Sequence, residues 1–150
     1  MTWHLQSFQE LSNEELYAIV RVRQEVFIIE QNCNYLDADG KDIHSKHLTL
    51  KIENLIAAYA RIVPPGISYT EVSIGRVLTA KNFRGKKYGI ELMHKAITYA
   101  EQLYGKSPIR IGAQLYLKSF YESYGFVQQG EYYLEDNIPH IYMLRIIGNK

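Results

Sequence analysis

The sequence predicts an α/β (α+β) domain with a mixed, mostly antiparallel central sheet and helices on both faces. Three observations predict it. A capped amphipathic helix opens the pattern. Alternating segments separated by tight turns follow it, as in an antiparallel meander. The chain then runs strand, long helix, strand, short helix and two strands, and its strand–helix–strand step brings a parallel pair into the sheet.

Ser12-Asn13-Glu14-Glu15 reads as a capping box, with Ser12 as N-cap and Glu15 three residues on. The helix it starts runs to about Gln31, with Leu16, Ile19, Val20 and Phe27 as its apolar stripe. Arg23 and Glu30 fall on that stripe too, which demands a use for two charges. Residues 32–46 form a polar loop. His47 to Glu53 alternates as a strand, Glu53-Asn54 makes a tight turn, and Leu55 to Val63 is a second strand ended by Pro64-Pro65-Gly66. Val72 to Thr79 is the third strand. Ile90 to Tyr104 is the clearest helix: Leu92, Met93, Ala96, Ile97, Ala100, Leu103 and Tyr104 keep the i, i+3, i+4 spacing, and Gly105 and Pro108 stop it. A strand from Ile109 to Gln114, a short helix from Tyr116 to Tyr124 capped by Gly125, and strands from Phe126 to Leu134 and His140 to Ile146 around "EDNIP" complete the order.

The chain of 150 residues fits one domain, 1–150, with a core large enough to fold alone. A net charge of +1 gives no global attraction to nucleic acid or acidic membranes, so anion binding has to be local. Cys33 is the one cysteine, which excludes an intrachain disulfide and fits a reducing, cytoplasmic setting. The first ten residues lack the basic-then-apolar order of a secretory signal, and no apolar stretch approaches the ~20 residues of a membrane span. Thirteen tyrosines suit both strands and a polar cleft.

Residues 83–89, "FRGKKYG", sit between a strand and the long helix. A helix start carries about half a positive charge and free N–H groups, glycines allow close backbone approach, and Arg84, Lys86 and Lys87 add formal charge. The combination reads as a pyrophosphate cradle. Neither the Walker loop nor the dinucleotide fingerprint is present. A solvated basic turn capping a helix is the plainer reading of the same residues.

"FRGKKYG" after "IGRVLTA" resembles the coenzyme A loop of the GNAT superfamily of N-acetyltransferases, [QR]-x-x-G-x-[GA]. Arg84 takes the first position, Gly89 the last, and Lys87 stands where the middle glycine is usual. "LKSFYESYGF" resembles the short helix that follows in that superfamily, and "RQEVFIIEQNCNYLDADGKD" with "EDNIPHIYM" resembles its ElaA-like branch. The resemblance implies acetyl transfer from acetyl-CoA to a primary amine of an unidentified small-molecule or peptide acceptor, in a ternary complex. It implies coenzyme contacts from Val77, Leu78, Thr79, Arg84, Gly85, Lys86, Lys87, Tyr88 and Gly89, with Leu78 and Thr79 acting through backbone N–H groups. Gln114 stands where the family often has asparagine.

By the same resemblance Tyr121 is the general acid beside the sulfur; packing with Phe120 and Tyr124 is its structural alternative. A base is needed because an amine of pKa ~10.4 is neutral in only about one molecule in 2500 at pH 7, a cost of roughly 4.6 kcal/mol. Glu30 and His140 are the candidates. Their alternatives are a pair with Arg23 for Glu30 and a hydrogen bond locking the "EDNIP" turn for His140. Asp37, Asp39 and Asp42 read as an acidic rim for a cationic amine, or as a plain polar loop. No metal is expected: "DADGKD" lacks the acids a calcium loop needs at Tyr35 and Lys46, and His44 and His47 read as solvated loop. Cys33 reads as packing. A non-catalytic acyl-CoA-binding module is the competing function, and a homodimer is left open.

Overall fold

A computed structural model of the protein describes residues 1–146. Seven strands form one sheet: β1 (Thr2–Ser7), β2 (Lys46–Ile52), β3 (Leu55–Val63), β4 (Val72–Thr79), β5 (Ile109–Gln114), β6 (Phe126–Glu135) and β7 (Ile138–Arg145). Their order is β1-β2-β3-β4-β5-β7-β6, and every neighbouring pair is antiparallel except β4–β5. The helices are α1 (Asn13–Arg23), α2 (Tyr88–Tyr104) and the short α3 (Lys118–Glu122).

The mixed sheet with helices on both faces is as the sequence predicts. Alternation along β3 divides the faces. Ala58, Ala60 and Ile62 join Leu92, Met93, Ala96 and Ala100 of α2 in the larger core, with Tyr121 and Phe126. Tyr59 faces the other way and packs with Ile19, Val22 and Val26 below α1. The capping box closes as read: Ser12 Oγ accepts from Glu15 N at 3.1 Å, and Glu15 Oε1 accepts from Ser12 N at 2.9 Å. Two tight turns, Glu53-Asn54 and Asp136-Asn137, take positive φ at both residues, the geometry of two-residue hairpins.

Three expectations are corrected. The sequence reading contains no strand before Ser12, yet Thr2–Ser7 pairs with β2 along its whole length. It is an edge strand with no fully buried residue, so Trp3 and Leu5 alone give its pattern. The helix expected to reach Gln31 changes its winding at Gln24: Gln24–Glu30 is π-helical. In an α-helix, residues seven apart return to within about 20° of one stripe. The wider π turn rotates Glu30 away from Arg23. Finally, β7 begins at Ile138, not His140. Pro139 fits because β5 ends opposite His140, so Pro139 has no β5 partner to donate to.

Candidate acyl-coenzyme A cleft

The site starts from a failure of pairing. β4 and β5 are parallel neighbours at only two steps, Val72↔Ile109 and Ser73↔Arg110. Beyond Ser73 the strands splay, and from Ile74 to Thr79 the β5-side edge of β4 has no strand partner. Among the described residues, N–H and C=O groups without a strand partner thus line a wedge in the sheet, and of these Thr79 O is taken by Arg84. The residues next in line on each lip are Ile74 and Ile111, followed by Gly75 and Gly112.

β4 leads directly to the basic loop. Gly85 takes φ +83, and Lys87 is left-handed at φ 65, ψ 19 as the N-cap of α2. The family's usual glycine at this position has a visible cause: the backbone is left-handed there, and Lys87 adopts that conformation without a glycine. No side chain caps α2, so its first-turn N–H groups stay open beside the exposed Lys86 and Lys87. Gly89 is not left-handed, and a Cβ there would meet only Thr79 Oγ1 at 3.5 Å. Its use is room above the helix start. Thr79, Arg84, Gly85, Lys87, Tyr88, Gly89 and Phe120 line a cleft of about 220 Å³.

Arg84 is already engaged. Its Nε donates to Thr79 O at 2.9 Å, and its Nη atoms hold Glu30 at 2.7 and 3.2 Å. The Arg23–Glu30 alternative is therefore overturned: Glu30 pairs with Arg84, 54 residues away. The Arg84 hydrogen bonds hold the Glu30 carboxyl below its usual range, which makes it a weaker proton acceptor. A larger groove, of about 860 Å³, runs along α1 past Tyr17, Leu55 and Ile56. It includes Glu30 and Phe83 but neither Tyr121 nor His140, so size and chemistry diverge here.

Tyr121 is 7% exposed on the α2 side, edge-on to Phe120 and Phe126. Its ring packs as the structural alternative says, except that Tyr124 packs on Phe120 rather than on Tyr121. Among the described residues its hydroxyl makes no hydrogen bond, yet it is not a sealed, unpartnered group. Burial, reinforced by Tyr116 and Tyr124, pushes its phenol pKa up, so it stays protonated. Tyr124 Oη donates to Ile90 O at 2.9 Å and ties α3 to the first turn of α2.

His140 and Gln114 are direct cross-strand partners on the opposite, α1-side face. His140 Nδ1 lies 2.7 Å from Ile138 O. A carbonyl only accepts, so the neutral ring carries its proton on Nδ1, and among the described residues no group bonds the Nε2 lone pair. The hydrogen bond within the hairpin and a basic nitrogen therefore coexist. Gln114 Nε2 donates to Gln31 Oε1 at 3.2 Å and bridges β5 to the end of the π-helical segment.

The acidic rim is corrected. Asp37, Asp39 and Asp42 are held by three arginines. Arg23 binds Asp37 at 2.9 Å and Asp42 at 2.7 Å; Arg61 binds Asp39 and Asp42, each at 2.8 Å; Arg76 binds Asp37 at 2.8 Å and Asp39 at 3.3 Å. Burial alone would raise the Asp39 carboxyl, but the Arg61 hydrogen bond and charge outweigh it and push it down. A neutralised internal network cannot act as a steering rim. His47 is likewise not solvated loop: it is buried in β2, between Tyr59 Oη at 2.6 Å and Asp42 O at 3.0 Å. Burial lowers its pKa and keeps it neutral. Cys33 is buried, as expected of packing.

Two features escape the sequence reading. Tyr69, Tyr133 and Tyr142 gather over β5, with Tyr133 stacked on Tyr142 at 4.7 Å and on His140 at 5.8 Å. A side chain at Gly112 would meet Tyr133 Oη at 3.2 Å and Tyr69 Oη at 3.3 Å. The abundance of tyrosine was the available signal. Arg76, left-handed at φ 49 in the middle of β4, gives no sequence signal at all.

A family model described as an acetyltransferase (GNAT) domain matches residues 10–146. Protein ElaA of Escherichia coli is 39% identical over 145 residues, covering 95% of each chain. Among solved structures, an acyl-CoA N-acyltransferase from Pseudomonas aeruginosa superposes with a TM-score of 0.93 at 39% identity, covering 96% of this chain and 98% of the other. The crystal structure of Escherichia coli ElaA gives 0.91 at 38% identity, with the same coverage.

Proposed function

The chain belongs to the acetyltransferase (GNAT) family, and on that premise we propose that residues 1–150 act as one domain that moves an acetyl group from acetyl-CoA to a primary amine of a small molecule or peptide. The family carries out acyl transfer; the choice of acetyl and of a primary amine is our reading. The observation that carries it is the splay of β4 from β5 leading into an uncapped, basic helix start. A pantetheine-like arm needs backbone groups to bond, and the β5-side edge of β4 at Val77 and Thr79 offers them, while the backbone of Leu78 is turned to β3. A pyrophosphate needs open N–H groups and cations, which the turn from Arg84 to Gly89 offers. Val77 and Tyr88 join the larger core at its edge, so both shape the cleft mainly through their backbones.

The amine nitrogen attacks the thioester carbon, a C–N bond forms, and the oxyanion is met by β4 backbone N–H groups. His140 Nε2, directly or through water, accepts the amine proton. This lone pair favours His140 over Glu30, which Arg84 occupies. The C–S bond then breaks, and Tyr121 gives its proton to the departing thiolate. Acid and base stand on opposite faces of the sheet, either side of the splay. Gln114, beside His140, steadies the mouth. The setting in which this works is proposed to be cytoplasmic; among the described residues no helix is long and apolar enough to cross a membrane.

The test is thiol release from acetyl-CoA with a panel of amines. Tyr121→Phe keeps the ring and should lower turnover about 10²-fold, with affinity for acetyl-CoA nearly unchanged. Near-wild-type turnover would return Tyr121 to packing. Coenzyme binding without thiol release from any amine would favour an acyl-CoA-binding module.

A further inference from the structure

β3 and β4 pair regularly through Val63↔Ser73, Ile62↔Ile74 and Arg61↔Gly75, and resume at Tyr59↔Leu78. Between them Ala60 of β3 faces two residues of β4, Arg76 and Val77, which makes a β-bulge. The bulge reverses the alternation. Val72 and Ile74 point into the α2-side core, and so does Val77, while Leu78 packs below α1. It lies just past Ser73, where β5 leaves, and so on the lip of the cleft.

The bulge costs backbone strain, because Arg76 sits at φ 49. Glycine would take that conformation freely, yet the glycine is one residue earlier, at an ordinary φ. The arginine is there for its side chain. Its Nε donates to Asp37 Oδ1 at 2.8 Å, and its Nη2 to Asp37 O at 3.0 Å and Asp39 Oδ2 at 3.3 Å. Asp37 is itself fixed from the other side by Arg23, which is 1% exposed. The clamp thus runs from the buried end of α1, through residues 37–39, to one strained residue at the cleft.

We propose that Arg76 is a positioning residue: its grip on Asp37 and Asp39 holds the left-handed bulge that aims the free backbone N–H groups of β4 at the acyl carbonyl. This rests on the acyl-transfer reading of the cleft. Arg76 touches no reacting atom in it, and acts through the backbone it holds.

The proposal separates backbone from charge. Among Arg76→Gly, Arg76→Asn, Arg76→Ala and Arg76→Val, turnover with acetyl-CoA and an accepted amine should follow tolerance of positive φ, Gly and Asn above Ala, and Ala above Val. Arg76→Ala should lose about 10²-fold in kcat, the scale of a lost oxyanion donor. Arg76→Gly should recover at least about tenfold of that loss. Coenzyme A affinity by titration calorimetry should fall by much less than kcat across the series, since the phosphate loop is untouched and only the pantetheine contacts on the β4 edge move with the bulge. Where Ala or Val fails to fold by circular dichroism, Arg76→Lys replaces it: it keeps the charge, loses the two-pronged grip, and should fall well below Arg76→Gly. Equal loss in the glycine and alanine variants, or a lysine variant that outperforms glycine, overturns the proposal. A wild-type protein that binds no coenzyme A removes the acyl-transfer reading, and the proposal with it.

Discussion

The two long helices begin in opposite ways. α1 is closed by its own sequence: Ser12 and Glu15 bond each other's backbone, and Glu15 also takes Lys51 Nζ at 3.1 Å and Gln6 Nε2 at 3.2 Å. α2 is left open: its N-cap is a left-handed lysine with no side-chain cap, next to two glycines and beside the unpaired edge of β4. A helix start that satisfies itself serves the fold. One that leaves its N–H groups without a side-chain cap is what the proposed coenzyme site requires. α2 can be left open because its far side is secured elsewhere, by Leu92, Met93 and Ala96 in the core and by Tyr124 on Ile90.

The largest effect expected from this contrast is at Gly89. A glutamate there fills the space above the open start and sets a negative charge beside the pyrophosphate. Two charges ~4 Å apart near a surface interact by roughly 4 kcal/mol, so acetyl-CoA affinity should fall by at least about 10²-fold. Titration calorimetry on a protein with unchanged circular dichroism checks this. Unaltered affinity would mean the open start is not the phosphate site.

The closed start should respond in stability alone. Ser12→Ala should cost about 1 kcal/mol in urea unfolding and leave acetyl-CoA affinity as it was. Its partner Glu15 adds a pH signature. The Ser12 backbone hydrogen bond, then Lys51, lowers the Glu15 carboxyl from 4.5 to about 2. A depressed carboxyl stabilises the fold fully above its unfolded value and loses that contribution as pH falls through the folded one. Wild type should therefore exceed Glu15→Gln in stability above pH 4.5, and the two curves should converge towards pH 2. A gap that persists at the acid end would show that the carboxylate is not what closes α1.

The same contrast explains what the sequence made legible. β4 and β5 begin and end where Val72–Thr79 and Ile109–Gln114 were read, because alternation and Gly or Pro stops are local signals. The capping box is local too. What stayed hidden depends on distant partners. Asp37, Asp39 and Asp42 look like a free acidic loop until Arg23, Arg61 and Arg76 arrive from three other elements. Glu30 has the composition of an α-helical stripe, and only the π winding and Arg84 decide where it points. Of the cleft, the basic loop was readable as a pattern of charge and glycine. The splay was not, since nothing in either strand says where its neighbour leaves it.

The smallest effect is the most informative about why α2 is open. At Lys87 the family's usual glycine is replaced by a residue that has to hold φ 65. Lys87→Gly relieves a left-handed conformation that costs an ordinary residue roughly 1–2 kcal/mol. It also frees the unfolded chain, which returns about 0.5–1 kcal/mol of that gain. The net change should be a stabilisation between about 0 and 1.5 kcal/mol, seen as a modest rise in Tm. Acetyl-CoA affinity loses the attraction of one exposed ammonium, a loss of less than about fivefold that should vanish at high salt, because such charges are screened over ~8 Å at physiological ionic strength. Small changes in both would show that the backbone at residue 87 makes the site and the lysine only tolerates it. A large, salt-independent loss of affinity with no gain in Tm would show the reverse: the side chain of Lys87 itself grips the coenzyme, and this chain has exchanged a glycine's close approach for a charge.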